Sequence, residues 1–399
     1  MTGMLKDSAR WRGGRLVALA AVVMLTATTA PAQTREKVFL GLPVGSRDAP
    51  NFWEGPTNYH VFPRPNGVVK AVMVFAKFPD AVKEESTQEL FKRLVPSGIE
   101  FLKRASYGQL TLTVDARHRW IPMDEPSTSP HYDGSKWETH KNYIAEVVRK
   151  TGKDVDFGKY ELVYIVGSKN KGYPTSPTWL ARPGMGIRAG SAEVRHAVTF
   201  GNDIRGANWG WQALAHETGH VFGLPDLYSY KPDGDRYKDI QKYVGFWDLM
   251  GWPGAGSEYL AWQKYKLGWL TDENMVIARK SSHSALVTPI DKKAGVKAVV
   301  VLIDDVEAYV VEVRARGHEA GAPTGVLCYK VSLTIGNGQG PIQVIPAKAD
   351  DGRPDLEKKY ITLYNALYLK GTVVDDTKRR IKIEILGREG TAYRIGVTR

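Results

Sequence analysis

One segment constrains this chain more than any other: Ala-His-Glu-Thr-Gly-His-Val-Phe-Gly-Leu-Pro-Asp, residues 215–226. It holds two histidines four residues apart, with an acid directly after the first. The stretch from Trp209 to the motif is largely apolar and has no breaker after Gly210. That pattern predicts a helix over 209–222, with Asn208 able to cap its start. On a helix, His216 and His220 lie one turn apart on one face, so both imidazoles reach one metal ion. Glu217 sits about 100° further round, beside the metal's open position. There it can take a proton from a metal-activated water.

The residues after the second histidine are as informative. Gly223 supplies a helix C-cap, since glycine alone enters the left-handed region without steric cost. Pro225 prevents the helix from resuming. The turn can swing Asp226 back toward the histidines, which makes it the candidate third ligand. Glu258 is the alternative. Two histidines, one carboxylate and an open position form the donor set of a hydrolytic zinc centre.

The N-terminus reads as a targeting segment. Lys6, Arg10, Arg12 and Arg15 precede an apolar run of ten residues, 16–25. Ala30-Pro31-Ala32 then gives an A-x-A cleavage pattern. The expectation is a signal peptide over 1–32, cleaved after Ala32, and an exported mature chain. Ten apolar residues are too few for a membrane anchor, and no later stretch approaches 18, so no stable membrane insertion is expected. The chain carries a net charge of +12, which loss of the leader lowers by three. Its Lys and Arg are scattered, with no basic run interleaved with aromatics, which argues against nucleic-acid binding. A single cysteine excludes a disulfide framework and a thiolate zinc finger. Cys328 lies in an apolar run and reads as a buried structural thiol.

Residues 33–66 are rich in Pro, Gly and Asn and read as an irregular lead-in, short for an inhibitory pro-domain. Strands are expected at 68–78, 110–114, 117–121, 162–166 and 194–200, and helices at 85–105 and 136–150. Residues 167–190 read as a loop. After about 283, short β-branched runs recur at 298–303, 308–313, 325–333, 342–345, 380–385 and 391–397. Gly, Pro, Asn and Asp separate them, the pattern of an antiparallel β-domain. The division is therefore 67–280 and 281–399.

The segment His-Glu-Thr-Gly-His-Val-Phe-Gly-Leu-Pro-Asp-Leu-Tyr at 216–228 resembles the zinc site of the secreted immune inhibitor A-type metalloproteases, peptidase family M-six. Other segments resemble that family in the same order. They are Ser106-Tyr107-Gly108-Gln109-Leu110, Gly245-Phe246-Trp247-Asp248-Leu249-Met250, Ala261-Trp262-Gln263-Lys264 with Leu267-Gly268-Trp269, Glu312-Val313-Arg314, and Pro323-Thr324-Gly325-Val326-Leu327. The resemblance implies an α/β (α+β) zinc endopeptidase domain of metzincin-like fold, with a twisted mixed sheet and an active-site helix. An antiparallel β-sandwich would follow it. His216 and His220 would bind zinc, Glu217 would be the general base, and Met250 would form a Met-turn beneath the metal. Substrates would be extracellular proteins or peptides.

Some related proteases place a tyrosine two residues after the turn methionine, where it can stabilise the oxyanion; here Trp252 stands there. Stabilisation would fall to Tyr228, Tyr243 or Tyr259, or to zinc alone. The run 194–200 is the expected edge strand on which a peptide could be laid. Asp233-Gly234-Asp235 with Asp239 is either a calcium-holding loop or a solvated turn. No residue pattern reveals the substrate-binding pockets. The contrasting reading is a catalytically idle extracellular binding protein on the same scaffold, against which Glu217 itself argues.

Overall fold

A strand that is apolar on both sides needs neighbours on both sides and cover above and below. The run 68–78 is such a strand. In the computed structural model it is β1 (Gly67–Lys77), buried from Ala71 through Ala76. The structure describes residues 52–82, 85–206, 209–231, 240–254, 258–279, 282–315, 324–347 and 363–399. The expected leader, the lead-in up to residue 51, Asn208 and the acidic loop with Asp233, Asp235 and Asp239 lie outside the described residues.

β1 pairs in parallel with β2 (Leu110–Pro122) on one side and β3 (Leu162–Gly167) on the other. Beyond β3 comes β7 (His196–Phe200), also parallel. The edge is β4 (Thr178–Leu180), antiparallel to β7. The order β2-β1-β3-β7-β4 makes a mixed sheet of five strands. Two differences from the sequence reading stand out. The runs 110–114 and 117–121 are one strand, because β2 is an outer strand whose Asp115 faces solvent. The run 194–200 is not an edge: His196–Phe200 is buried throughout and lies between β3 and β4. The open edge falls to a three-residue strand within the expected loop. β5 (Ile187–Ala189) and β6 (Ala192–Val194) form a separate hairpin.

Helices cover both faces of this sheet. On one face α1 (Thr87–Ala105) and α3 (Gly210–Val221) share a cluster with Met73, Phe75, Tyr164 and Phe200. On the other, α2 (Trp137–Thr151) packs Tyr143, Ile144 and Val147 against Val72, Val74 and Ile165. Alternation along β1 decides which side chain serves which face. α1 is held at its start by the Ser86 hydroxyl, which accepts from the Glu89 amide at 3.3 Å.

A short helix, α4 (Ala261–Leu267), leads into the β-rich region. The lead-in from residue 52 packs on it. The Gln263 amide donates to the buried Glu54 carboxylate at 2.9 Å, and the Lys266 ammonium to Gly55 O at 2.9 Å.

The second sheet has the order β13 (Ile342–Ile345), β12 (Thr324–Ser332), β11 (Glu307–Ala315), β10 (Ala298–Leu302), β8 (Met275–Ala278). All its pairs are antiparallel except β10 with β8. That parallel pair departs from the fully antiparallel expectation: β8 enters directly from the first half of the chain rather than by a hairpin. The third sheet is antiparallel, with the order β14 (Gly371–Asp376), β15 (Ile381–Glu389), β16 (Ala392–Thr398), β9 (His283–Val287).

Side chains of the second sheet alternate between two cores. Val299, Val301, Val311, Val313 and Cys328 share a cluster with Ile383, Tyr393 and Ile395 of the third sheet. Val300, Val310, Leu327 and Tyr329 join the cluster that holds α1 and α3. All described residues fall in one compact unit. Among them, no helix is long and apolar enough to cross a membrane.

Candidate metal centre

The helix α3 starts at Gly210 after Trp209, with no side-chain cap. Its end is built as the sequence predicts. Gly223 adopts φ +91°, its amide donates to His220 O at 2.9 Å, and the Leu224 amide donates to Gly219 O at 3.0 Å. These two bonds make a Schellman turn. The turn reverses the chain and brings Asp226 back over the helix face that carries the histidines.

The result is a triangle of ligand atoms. His216 Nε2 lies 3.2 Å from His220 Nε2, and Asp226 Oδ1 lies 3.1 and 3.2 Å from the two nitrogens. Each ring is oriented from behind. His216 Nδ1 faces Leu249 O at 2.9 Å and His220 Nδ1 faces Leu224 O at 2.8 Å. A carbonyl only accepts, so each Nδ1 carries the proton and each Nε2 presents a lone pair. Three lone-pair atoms then converge with no donor among them, an arrangement that calls for a cation. Ligands about 2.0–2.1 Å from a tetrahedral ion stand about 3.3–3.4 Å apart. The observed edges lie close to that, so the residues fit a zinc ion.

The same triangle also attracts a proton, which competes with a metal ion for these atoms. Burial would raise the Asp226 carboxyl, but the charge of His220 and the hydrogen bonds of both histidines outweigh it and hold the group well below the usual carboxylate range. Burial likewise opposes charge on His220, yet Asp226 lifts it above the ordinary value. The Asp226 carboxylate favours positive charge at this point, whether a proton or a metal ion.

Glu217 is buried beside the triangle, and its ligand atoms and those of the two histidines lie within 4.8 Å of one another. Burial pushes its carboxyl up to about 8. Its Oε2 accepts a hydrogen bond from Thr178 Oγ1 of β4 at 2.7 Å. A cavity of about 400 Å³ opens here, lined by His216, Glu217, Thr178, Tyr228, Trp252 and Asn337 among others.

Met250 lies under the helix. A Cβ at Gly219, between the two histidines, would come within 2.8 Å of Met250 Sδ. The turn around it is fixed by Asp248, whose two oxygens accept from the Met250 amide at 2.7 Å and the Leu260 amide at 2.6 Å. The β-rich region clamps the same turn. Arg314 donates to Trp247 O at 2.8 Å and to Glu312 at 2.9 Å, and Glu312 accepts from the Ala261 amide at 2.7 Å.

The alternative ligand Glu258 stands elsewhere. It forms an ion pair with the fully buried Lys264 at 3.1 Å, and Asp226 is the carboxylate that meets the histidines. Of the three tyrosines, only Tyr228 lines the cavity, its ring 6.3 Å from that of His216. Tyr259 is buried and donates to Ala215 O at 2.9 Å, and the Tyr243 ring abuts Gly340. Trp252 lines the cavity edge-on to Trp209, with ring centroids 5.5 Å apart.

Several participants escaped the sequence reading. Phe52 packs its ring edge-on against His220 at 5.3 Å. Tyr230 donates its hydroxyl to Asp226 Oδ2, and Asn337 donates to that hydroxyl at 2.7 Å. Gly336-Asn337-Gly338 carries a turn signal in the sequence, but nothing local ties it to Asp226.

No family model matches the chain, and no curated protein matches it. Among solved structures, metalloproteinase-II from Bacteroides fragilis is similar at 16% identity and a TM-score of 0.29, over 52% of this chain. The match covers 54% of that structure, so the chain spans about half its length.

Proposed function

We propose that this chain is a secreted zinc endopeptidase of the immune inhibitor A type, metzincin-like over 67–280, with a β-sandwich over 281–399. One observation carries the reading: His216 Nε2, His220 Nε2 and Asp226 Oδ1 converge within 3.2 Å, with Glu217 beside them in an open cleft. His216, His220 and Asp226 would hold the ion. When bound, zinc supplies Lewis-acid chemistry, acidifying water and polarising a carbonyl. Glu217 accepts the proton of the attacking water and passes it to the leaving amine nitrogen. Thr178 holds the Glu217 carboxylate in place. Tyr228 lines the cavity beside Asp226, and its hydroxyl would turn to a developing oxyanion. A peptide can add to the sheet at the open edge of β4, beside Glu217. Met250 supports the helix from below by packing. Export rests on the basic and apolar leader ending at Ala32.

The test is hydrolysis of casein by the mature protein and by Glu217→Ala, with zinc measured on both. About one zinc on each, with cleavage by the wild type alone, supports the reading. Zinc on the wild type without cleavage of any protein overturns its catalytic half and favours an idle binding scaffold. Absence of zinc from the wild type overturns it altogether.

A further inference from the structure

A carboxylate has two oxygens, and a site that needs one must occupy the other. In Asp226, Oδ1 faces the two histidines while Oδ2 accepts the hydroxyl of Tyr230. That hydroxyl accepts in turn from Asn337 Nδ2 at 2.7 Å. Asn337 Oδ1 accepts the backbone amide of Asp226. The three bonds close a ring in which every donor meets an acceptor. The orientation of the Asn337 amide follows from this ring, since the Asp226 amide can only donate. Two backbone bonds reinforce it: Tyr230 N–H to Gly338 O at 3.0 Å, and Gly338 N–H to Asp226 O at 3.2 Å.

Asn337 belongs to neither α3 nor the turn that follows it. It comes from the connection between β12 and β13, within the β-rich region. Asparagine supplies from one side chain both the acceptor and the donor that the ring needs. Aspartate at 337 could not donate to Tyr230 and would set a second negative charge beside Asp226. Alanine would leave the Asp226 amide without its partner and Tyr230 free to turn away.

We propose that Asn337 is a positioning residue of the metal centre, supplied by the C-terminal region. It holds Tyr230 on Asp226 Oδ2 so that Asp226 ligates through Oδ1 alone. This rests on the reading of the site as a zinc centre. Groups behind a first ligand shell typically change metal affinity by about 10–100-fold.

The experiment uses the whole mature chain. Zinc affinity is measured by chelator competition, and the cobalt-substituted protein is examined by visible absorption. Asn337→Ala and Tyr230→Phe are each expected to weaken zinc binding by about 10–100-fold and to alter the cobalt spectrum. The double variant should lose little more than either single one, because one ring is broken in each case. Asn337→Asp should fare no better than the alanine variant. Tyr230 is half exposed, at 50%, so its loss of a hydroxyl spares the core and keeps the test open if Asn337→Ala does not fold. Wild-type zinc affinity and an unchanged cobalt spectrum in Tyr230→Phe would overturn the proposal alone. A wild type without zinc would overturn the reading beneath it.

Discussion

Thr178 Oγ1 donates to Glu217 Oε2 across 2.7 Å, linking the open edge of the first sheet to the proposed base. The same hydroxyl lies 3.2 Å from the Glu217 carbonyl. On the proposed reading, an edge strand that orients the base would couple peptide binding to chemistry. Thr178→Val keeps the shape and the β-branch but removes the donor. A hydrogen bond to a charged group is worth about 1.5–3 kcal/mol. The expected result is a fall of about 10-fold or more in kcat with KM little changed, read from steady-state kinetics on a peptide. A change confined to KM would show that Thr178 serves the substrate and not Glu217.

Gly219 lies on α3 between the histidines, and the methyl of an alanine there would stand 2.8 Å from Met250 Sδ. Overpacking of this kind costs about 1–3 kcal/mol. Alanine's helical preference over glycine offsets about 1 kcal/mol, so Gly219→Ala should lower the stability read from urea unfolding by up to about 2 kcal/mol. The clash is with one side chain, so Met250→Ala should cost less in the Gly219→Ala background than in the wild type. Additive costs would show that Met250 does not support the helix at this point.

The helix of the site and its end were legible in the sequence because their determinants are local. The two histidines repeat at the helical period, and Gly223 stands where the left-handed turn occurs. Asp226 follows within the same turn. The illegible part comes from far along the chain. Thr178 is 39 residues from Glu217, and Asn337 is 111 from Asp226. Neither separation leaves a period or a cap to read. The misassigned edge has a different cause. The run 196–200 lacks polar alternation because it is buried on both faces, which marks an interior strand. The true edge, Thr178–Leu180, is only three residues long and sits among Gly, Pro and Ser. Glu312 and Arg314 stand in a segment that resembles the family's, but nothing in the sequence gives them a role. Only the packing of the second sheet against the first half shows that they clamp the Met250 turn.

His140 is buried on α2, its Nε2 2.8 Å from Thr199 Oγ1. Burial pushes its pKa down to about 3, with Asp133 pulling weakly the other way. The folded state therefore keeps the ring neutral while the unfolded chain binds a proton below about 6.5. The unfolded state holds more protons throughout that window, so stability falls as pH drops from about 6.5 toward 3. One such group contributes a slope of about 1.4 kcal/mol per pH unit. His140→Gln should flatten the loss of stability between pH 6.5 and 5 by about 2 kcal/mol, measured by urea unfolding at each pH. Parallel curves for the two proteins would show that His140 is not the sensor.

Asp226 and Glu258 are both buried carboxylates near the helix, and opposite outcomes separate them. Asp226 meets two histidines at 3.1 and 3.2 Å, whereas Glu258 meets the ammonium of Lys264, itself shielded from solvent, and the Tyr259 amide at 2.9 Å. Loss of a metal ligand weakens the metal more than it weakens the fold. Asp226→Ala should thus cut zinc affinity by more than about 100-fold while the zinc-free form unfolds near the wild-type denaturant concentration. Removing one partner of a buried ion pair strands the other charge and costs about 3–5 kcal/mol. Glu258→Ala should therefore unfold at markedly lower denaturant yet still bind zinc with near wild-type affinity under folding conditions. The reverse pattern, zinc lost with Glu258 and kept with Asp226, would transfer the third ligand to Glu258. It would then also require the Lys264 pair to open when the metal binds.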